Sequence, residues 1–443
     1  MTPNNSDIIV RFPPSPTGKM QIGNARTALF NFLFARKHGG SFIVRMEDTD
    51  RERSQPEYEQ DILNNLKWLG LSWDNKHIWK QSERTDIYKT YLQKLIDEEK
   101  AYISHETEGA NKAVVRFKNP NKDVTFHDLI RGDITFNTAE LEDFIIARNI
   151  NEPIYHLAVV IDDFEAGVTH VIRGDDGISN TPRQILIQEA IGAPRPTYAH
   201  VPLVLAKDKT KLSKRKHGES VSIEYYKKLG FLPEAFVNYL AFIGWNPGTD
   251  QEIFSLEKLV DAFDIEKVSK SGGIFDELKL RYINKKHLDK LPETEQKQKI
   301  SEIVAPLHIN TDILDRAHNT LMERIEVWSD LEKAVSEGEY NYLTDDPTYN
   351  TEKLVWKDTD IETTKKHLEH VLTILNSIEH IESGESIKEK LWSYAEKAGK
   401  GTVLWPLRYA LSGKDKSPDP FTLLYILQQK ISIRRIENVL DVL

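Results

Sequence analysis

Cysteine is missing altogether from this chain of 443 residues. Its absence excludes disulfides and thiolate metal sites and suits a reducing cytoplasm, the expected location. Long apolar runs are missing too: none approaches the ~18–20 residues that span a bilayer, so no membrane partner is expected. The N-terminus carries no secretory pattern of positive charge, apolar run and small-residue cleavage site. Neither an internal repeat nor a low-complexity tract is visible. Nor is positive charge in excess, since 59 Lys and Arg against 69 Asp and Glu leave a formal charge of −10. Over the whole chain this argues against non-specific nucleic-acid binding, although a basic face can coexist with an acidic whole. What remains is 39% hydrophobic, a globular composition with length for roughly three domains.

The rest is organised around residues 7–50. Ile8-Ile9-Val10-Arg11-Phe12 has the β-branched content of a buried strand. Pro13, Pro14, Ser15, Pro16, Thr17 and Gly18 then force a rigid loop. From Ile22 onward, Ala25, Ala28, Leu29, Phe32 and Ala35 are spaced for one buried helix face. Gly39-Gly40 closes that helix before a second strand at 41–46. Strand, loop, helix and strand make a βαβ unit with parallel strands, as at the start of a nucleotide-binding α/β domain. A helix N-terminus after a tight loop offers free amides and the positive end of a dipole, which suits a phosphate. The loop is neither a Gly-x-Gly-x-x-Gly nor a Gly-x-x-x-x-Gly-Lys motif. Two readings therefore stand: a nucleotide site, or Gly18 and Gly23 serving turn geometry with Asn24 capping the helix.

Residues 55–100 read as helices whose aromatic residues belong to the core. Short strands follow at 114–117, 124–126 and 133–136, separated by turns at 119–121 and 131–133. Residues 155–161 read as an apolar strand that rejoins the parallel sheet and ends in Asp162-Asp163. Carboxylates there sit where open α/β sheets bind ligands, or are solvated turn residues. Residues 168–172 are the next strand, so Arg173 points into the cleft by the same edge rule, and Thr181-Pro182 opens a helix. Between 207 and 219, six basic and two acidic residues give a local charge of +4, which fits either a solvated loop or a phosphate site. Beyond 300 the pattern is helical, with acidic and basic residues mixed.

The string Arg11-Phe-Pro-Pro-Ser-Pro-Thr-Gly-Lys-Met-Gln-Ile-Gly-Asn24, with Arg45-Met-Glu-Asp-Thr-Asp50, resembles the opening of bacterial glutamyl-tRNA synthetases, which are class I aminoacyl-tRNA synthetases. The resemblance continues through Lys67-Trp-Leu-Gly-Leu71, Val171-Ile-Arg-Gly-Asp-Asp176, Asn180-Thr-Pro-Arg-Gln184 and Lys211-Leu-Ser-Lys-Arg215, and covers nearly the whole chain. It implies an α/β fold with a Rossmann-type parallel-sheet catalytic domain at 1–100 and 155–220. An α+β acceptor-end-binding domain is inserted at 101–154, followed by a stem-contact domain at 221–300 and an all-helical anticodon-binding domain at 301–443. The implied reaction joins L-glutamate to tRNA through glutamyl-adenylate, using ATP and Mg2+, with tRNA bound before the first step and a monomer as the default.

Carried over residue by residue, the resemblance places ATP at Gln21, Gly23, Asn24, Asp176, Leu205, Ser213 and Lys214. Lys214, assisted by Lys211, supplies the mobile ammonium for charge developing on the α-phosphate. Arg11 and Arg173 meet carboxylates, since Arg offers bidentate recognition; Glu47 meets the ammonium of glutamate, and Ser15 and Tyr155 form the pocket wall. Lys279, Arg281, Lys285 and Lys286 are placed against the tRNA backbone, where phosphate contacts position rather than specify. Two departures stand out. The family's nucleotide motif usually begins with His, whereas position 21 is Gln, a donor without positive charge. Losing such a donor costs ~3 kcal/mol in the transition state and swapping donors costs less, so an active, slowed enzyme is expected. The segment after Ala101-Tyr102 is also short and free of cysteine; His105 and His127 read as structural, and no zinc is expected. Three rivals stand beside this reading. A truncated relative that glutamylates a tRNA base and a glutaminyl enzyme with β-barrel domains both conflict with the helical C-terminal region. A catalytically silent tRNA-binding paralogue is opened by Gln21 and opposed by Lys211 to Arg215, Glu47 and Arg173. An enzyme that also charges glutamine tRNA is left open.

Overall fold

The computed structural model describes residues 8–106, 113–357 and 359–443. They form two compact units, Met1–His287 and Leu288–Leu443. In the first, β1 (Ile9–Phe12), α1 (Ile22–Lys37) and β2 (Ser41–Met46) are the expected βαβ unit, with Ile9 opposite Ser41 and Phe12 opposite Val44 in parallel register. The proline-rich loop is pinned from two sides, the amide of Glu47 donating to Pro14 O at 3.0 Å and that of Gln55 to Pro16 O at 3.0 Å. After α2 (Pro56–Trp68) comes β3 (Trp79–Lys80), which pairs with β2, and then α3 (Thr85–Asp97).

The next strands are β4 (Ala101–His105), β5 (Ala113–Phe117), β6 (Asp123–Asp128), β7 (Gly132–Asn137), β8 (Phe144–Asn149) and β9 (Glu152–Pro153). They divide between two sheets. Strands β4, β5, β8 and β9 make an antiparallel sheet of their own. The β6–β7 hairpin instead extends the parallel sheet. With β10 (His170–Gly174) and β11 (Thr197–Val201), the order among the described residues is β3-β2-β1-β10-β11-β6-β7. The junction is Asp128 opposite Tyr198, closed by the Leu129 amide donating to Tyr198 O at 2.9 Å. One core runs through these strands: Phe117, Phe126 and Ile146 pack with Leu157, Ile161, Ile185 and Ile187.

Residues 155–161, read from the sequence as a strand, are instead the start of a helix, α4 (Tyr155–Glu165). Every residue from Leu157 to Asp163 is buried. A segment buried on all sides shows neither the period of a helix nor that of a strand, so length must arbitrate. Here the helix continues through Asp162 and Asp163, residues the sequence reading took for the strand's end. Neither carboxylate is a solvated turn residue; they are 0% and 7% exposed.

Past β11 no further strand joins this sheet among the described residues. Helix α5 (Thr181–Ile191) precedes β11, and after it β12 (Val204–Leu205) pairs in parallel with β13 (Gly273–Ile274). Between these lie α6 (Lys214–His217), α7 (Ile223–Lys228), α8 (Pro233–Ala241) and α9 (Leu256–Ala262), and α10 (Glu277–Leu288) follows. The second unit is helical, from Glu293–Val304 to Pro420–Val442. Its last helix breaks at Gln428, whose positive φ of 61° is held by a side-chain amide that donates to Ile381 O at 3.1 Å and Tyr425 O at 2.6 Å.

At Gly273 a Cβ would lie 2.7 Å from Ile243 Cγ2 and 2.9 Å from the backbone nitrogen of Gly244. Gly273→Ala should therefore lower stability by about 1–3 kcal/mol, the usual cost of overpacking. Chemical denaturation of the full chain checks this, and an unchanged midpoint would contradict the close approach.

Candidate active site

Open parallel sheets take ligands beyond the carboxyl ends of their strands. At that edge the 13–18 loop, the start of α1, the end of β10 and residues 203–212 enclose a cleft of about 550 Å³. Arg11, Ser15, Glu47, Tyr155 and Arg173 all line it, and so do Gln21, Gly23, Asn24, Asp176 and Lys211. The residues expected to hold glutamate and most of those expected at the nucleotide thus share one cavity. Leu205, Ser213 and Lys214 are not among its lining residues. Lys214 opens α6, where its ammonium pairs with Glu219 at 2.9 Å.

The end of the cleft at α1 is shaped by backbone. Gln21 is the N-cap residue of α1 and makes no capping bond with its side chain, so the first-turn amides keep their dipole end free of a side-chain acceptor. A Cβ at Gly23 would meet nothing within 4 Å, leaving the helix start open to a closely approaching ligand. Across the cleft the Lys211 ammonium reaches Asp176 Oδ2 at 2.9 Å. Both are exposed, and such pairs contribute little, so Lys211 is readily released to an incoming anion.

The part of the cleft at Arg11 rests on buried charge. Arg11 Nε donates to Asp163 Oδ2 at 3.1 Å, and Arg45 Nη1 donates to Asp163 Oδ1 at 2.9 Å. Arg45 also reaches Glu47 Oε1 at 3.1 Å and lies 3.5 Å from Asp162 Oδ2. Asp162 in turn accepts from Arg84 Nε at 2.8 Å, the Tyr88 hydroxyl at 2.8 Å and Gln81 Nε2 at 3.1 Å. Three guanidiniums and three carboxylates thus balance. Burial pushes Asp163 toward its neutral form, but Arg11 and Arg45 outweigh it and hold the carboxyl below its usual range. For Glu47 burial wins over the attraction of Arg45, and its pKa is raised. Arg11 Nη1, by contrast, is buried without a partner at the cleft, the signature of a donor reserved for a ligand. Arg173, as expected from the edge rule, lines the same cavity, fastened through Gln184 Oε1 at 2.7 Å and Thr181 Oγ1 at 2.8 Å.

The family described as "tRNA synthetases class I (E and Q), catalytic domain" matches residues 7–112 and 105–282, and an "Anticodon binding domain" matches 279–440. Glutamate–tRNA ligases of Carboxydothermus hydrogenoformans and Thermodesulfovibrio yellowstonii are 38% and 37% identical over 98% of this chain and 99% of their own. The chain belongs to the glutamate–tRNA ligase family. Its fold is likewise that of a glutamate tRNA ligase from Elizabethkingia meningosepticum solved in complex with its amino acid, with a TM-score of 0.87 at 29% identity over 98% of this chain and 99% of that one. A glutamate-tRNA synthetase from Elizabethkingia anophelis gives a TM-score of 0.83 at 29% identity, covering 98% of this chain and all of that one.

Two features of this glutamate–tRNA ligase family member escaped the sequence reading. Arg26 lines the cleft from within α1, its guanidinium held by Pro202 O and by Ile243 O at 3.3 Å, and burial lowers its pKa to about 10. A lone Arg among Ala25, Ala28 and Leu29 was the available signal. The other is a second cleft of about 750 Å³ beside Tyr155, lined by Arg51, Arg53 and Arg148. Arg148 lies far in sequence from Arg51 and Arg53, so no local pattern announces their meeting. His127 Nδ1 meets Asp133 at 2.7 Å, and among the described residues no three His, Cys, Asp or Glu are grouped to hold a metal.

Asp163→Asn would leave two buried guanidiniums without their shared counter-charge. A loss of about 3–5 kcal/mol near neutral pH is expected by denaturant titration. Because the folded pKa lies below the ordinary 3.8, this contribution is full above that value and is lost as pH falls through the folded pKa. Wild type and variant should converge in acid; a gap that persists there would contradict the ion-pair origin.

Proposed function

We propose that the cleft joins L-glutamate to ATP as glutamyl-adenylate and that the glutamyl group then passes to the terminal hydroxyl of a glutamate-accepting tRNA. The observation that carries this reading is the meeting of Arg11, Arg173 and Glu47 with the start of α1 and Lys211 in one cavity. Arg11 and Arg173 offer two cations for the carboxylates of glutamate, and Glu47 an anion for its ammonium. The open amides at Gly23 and Asn24 take phosphate oxygens, to which Gln21 adds a neutral donor. Adenylation then needs little covalent help from the protein: the α-carboxylate attacks the α-phosphorus, pyrophosphate leaves, and rate comes from alignment and charge stabilisation.

Lys211 exchanges Asp176 for phosphate as ATP enters. Lys214 contributes to the departing pyrophosphate after the 207–219 segment moves, since it does not line the cleft as it stands. Among the described residues no three His, Cys, Asp or Glu are grouped as a cage for Mg2+, which is usually held by substrate phosphates and one or two carboxylates. Asp176, the carboxylate at the phosphate side, fits that role, and the ion would neutralise phosphate charge there. The second cleft, walled by Tyr155 and lined by Arg51, Arg53 and Arg148, suits the 3′ end of tRNA, because it shares that tyrosine with the glutamate cleft. Lys279, Arg281, Lys285 and Lys286 are assigned to the tRNA backbone.

Charging of purified glutamate tRNA with labelled glutamate tests the reading. Wild type should charge it. Gln21→His should stay within about tenfold of wild type in kcat, because a donor is kept, whereas Gln21→Leu should lose about 10²–10³-fold. A wild type that binds tRNA yet charges nothing, while Gln21→His restores charging, would overturn the proposal.

A further inference from the structure

The inserted hairpin ends inside the catalytic unit. Asp128, the last residue of β6, is 0% exposed, and its two oxygens do different work. Oδ1 accepts from the amides of Ile130 and Arg131 at 3.0 and 2.9 Å, fixing the hairpin's own turn. Oδ2 leaves the hairpin: it accepts from the amide of His200 on β11 at 3.0 Å and from the His200 ring at Nδ1, 2.7 Å away. A carboxylate accepts and cannot donate, so the ring proton sits on Nδ1 and Nε2 is left as an acceptor. Burial pushes His200 below its usual pKa, which keeps that ring neutral. The acceptor is used, since Arg173 Nε donates to His200 Nε2 at 3.1 Å.

We propose that Asp128 and His200 are positioning residues for the glutamate site, a buried carboxylate–imidazole relay through which the inserted β6–β7 hairpin sets the guanidinium of Arg173. The proposal rests on Arg173 as a carboxylate ligand of the amino acid. The relay governs orientation along the Nε edge, and the far edge is fastened by Gln184 and Thr181. Gly177 marks how tightly the arrangement fits: a Cβ there would lie 2.6 Å from Arg173 Nε. A guanidinium held on three sides cannot follow its ligand, so loss of the relay should show in glutamate affinity rather than in nucleotide affinity. The neighbouring turn residue Arg131 continues the same hairpin toward the phosphate side, donating to Asp175 Oδ2 at 2.9 Å, next to Asp176. Both substrates' walls are therefore tied to one inserted turn.

Steady-state charging with the full-length enzyme tests the relay through Asp128→Asn, His200→Leu, His200→Gln, Arg173→Gln and the Asp128→Asn/Arg173→Gln double variant. Asparagine must turn its NH2 either toward His200 or toward the turn amides, so one set of bonds fails. His200→Leu has no acceptor; His200→Gln carries an oxygen within reach of Arg173. Asp128→Asn and His200→Leu should raise KM for glutamate about ten- to hundredfold, the weight of a hydrogen bond to a charged group, with KM for ATP unchanged. His200→Gln should recover most of the loss, and the double variant should be no worse than Arg173→Gln alone. If Arg173→Gln raises the glutamate KM while Asp128→Asn and His200→Leu match wild type, the relay is wrong. If Arg173→Gln leaves the glutamate KM unchanged, the reading of Arg173 falls and the relay with it. Should Asp128→Asn fail to fold, the two His200 variants decide, and equal KM values for them overturn the proposal.

Discussion

Asp163 between two arginines is the interaction on which the cleft depends. A lone guanidinium at the depth of Arg11, 2% exposed, is costly to bury. Its carboxylate partner is itself buried in a helix, and is tolerable only because Arg45 shares it. The chain spreads this cost over three positive and three negative groups on β1, on β2 and just after it, just before α3 and in α4, with Gln81 and Tyr88 filling remaining acceptor sites. Such a cluster gives little net stability compared with a hydrophobic core of the same volume. What it provides is a fixed cation at the floor of a cavity, with one nitrogen still unbound.

Topology then decides what that cation faces. Parallel strands put the ends of β1, β2 and β10 on one edge, so Arg11, Glu47 and Arg173 converge although they are distant in sequence. The same edge receives the N-terminus of α1, which brings a phosphate-binding dipole beside the amino-acid floor. An acid and a nucleotide side by side there would be the reactants of adenylation. Membership of the glutamate–tRNA ligase family and the cleft's own chemistry point the same way. The segment between β4 and β9 is not a separate ornament on this arrangement, since its β6–β7 hairpin lengthens the sheet and brings Asp128 to His200.

Much of this was legible in the sequence because it was local. The βαβ opening, the proline-rich loop and the segment after β10 each carry their own signal within a few residues. Five residues assigned to glutamate do line one cleft, as do Gln21, Gly23, Asn24, Asp176 and Lys211. The failures are non-local. Residues 155–161 were mistaken for a strand because burial on every side erases periodicity, and with that error the burial of Asp162 and Asp163 went unseen. Partner arginines 78 to 152 residues away leave no trace at the aspartates themselves. Likewise, nothing in the hairpin's alternating pattern announces that Asp128 belongs to β11's histidine. Lys214 shows the converse limit: the motif sets an expectation for it, while the described geometry keeps its ammonium on Glu219.

The most direct measurement is calorimetric binding of two unreactive adenylate analogues, one glutamyl and one glutaminyl, to the wild-type enzyme. They differ only in whether a carboxylate or an amide reaches the arginine floor. If Arg11 and Arg173 read that group with charge-assisted bonds worth roughly 1.5–3 kcal/mol each, the glutamyl analogue should bind at least about a hundredfold more tightly. Equal affinities would mean that the buried cluster does not read the side-chain charge, and the account of the cleft would fail.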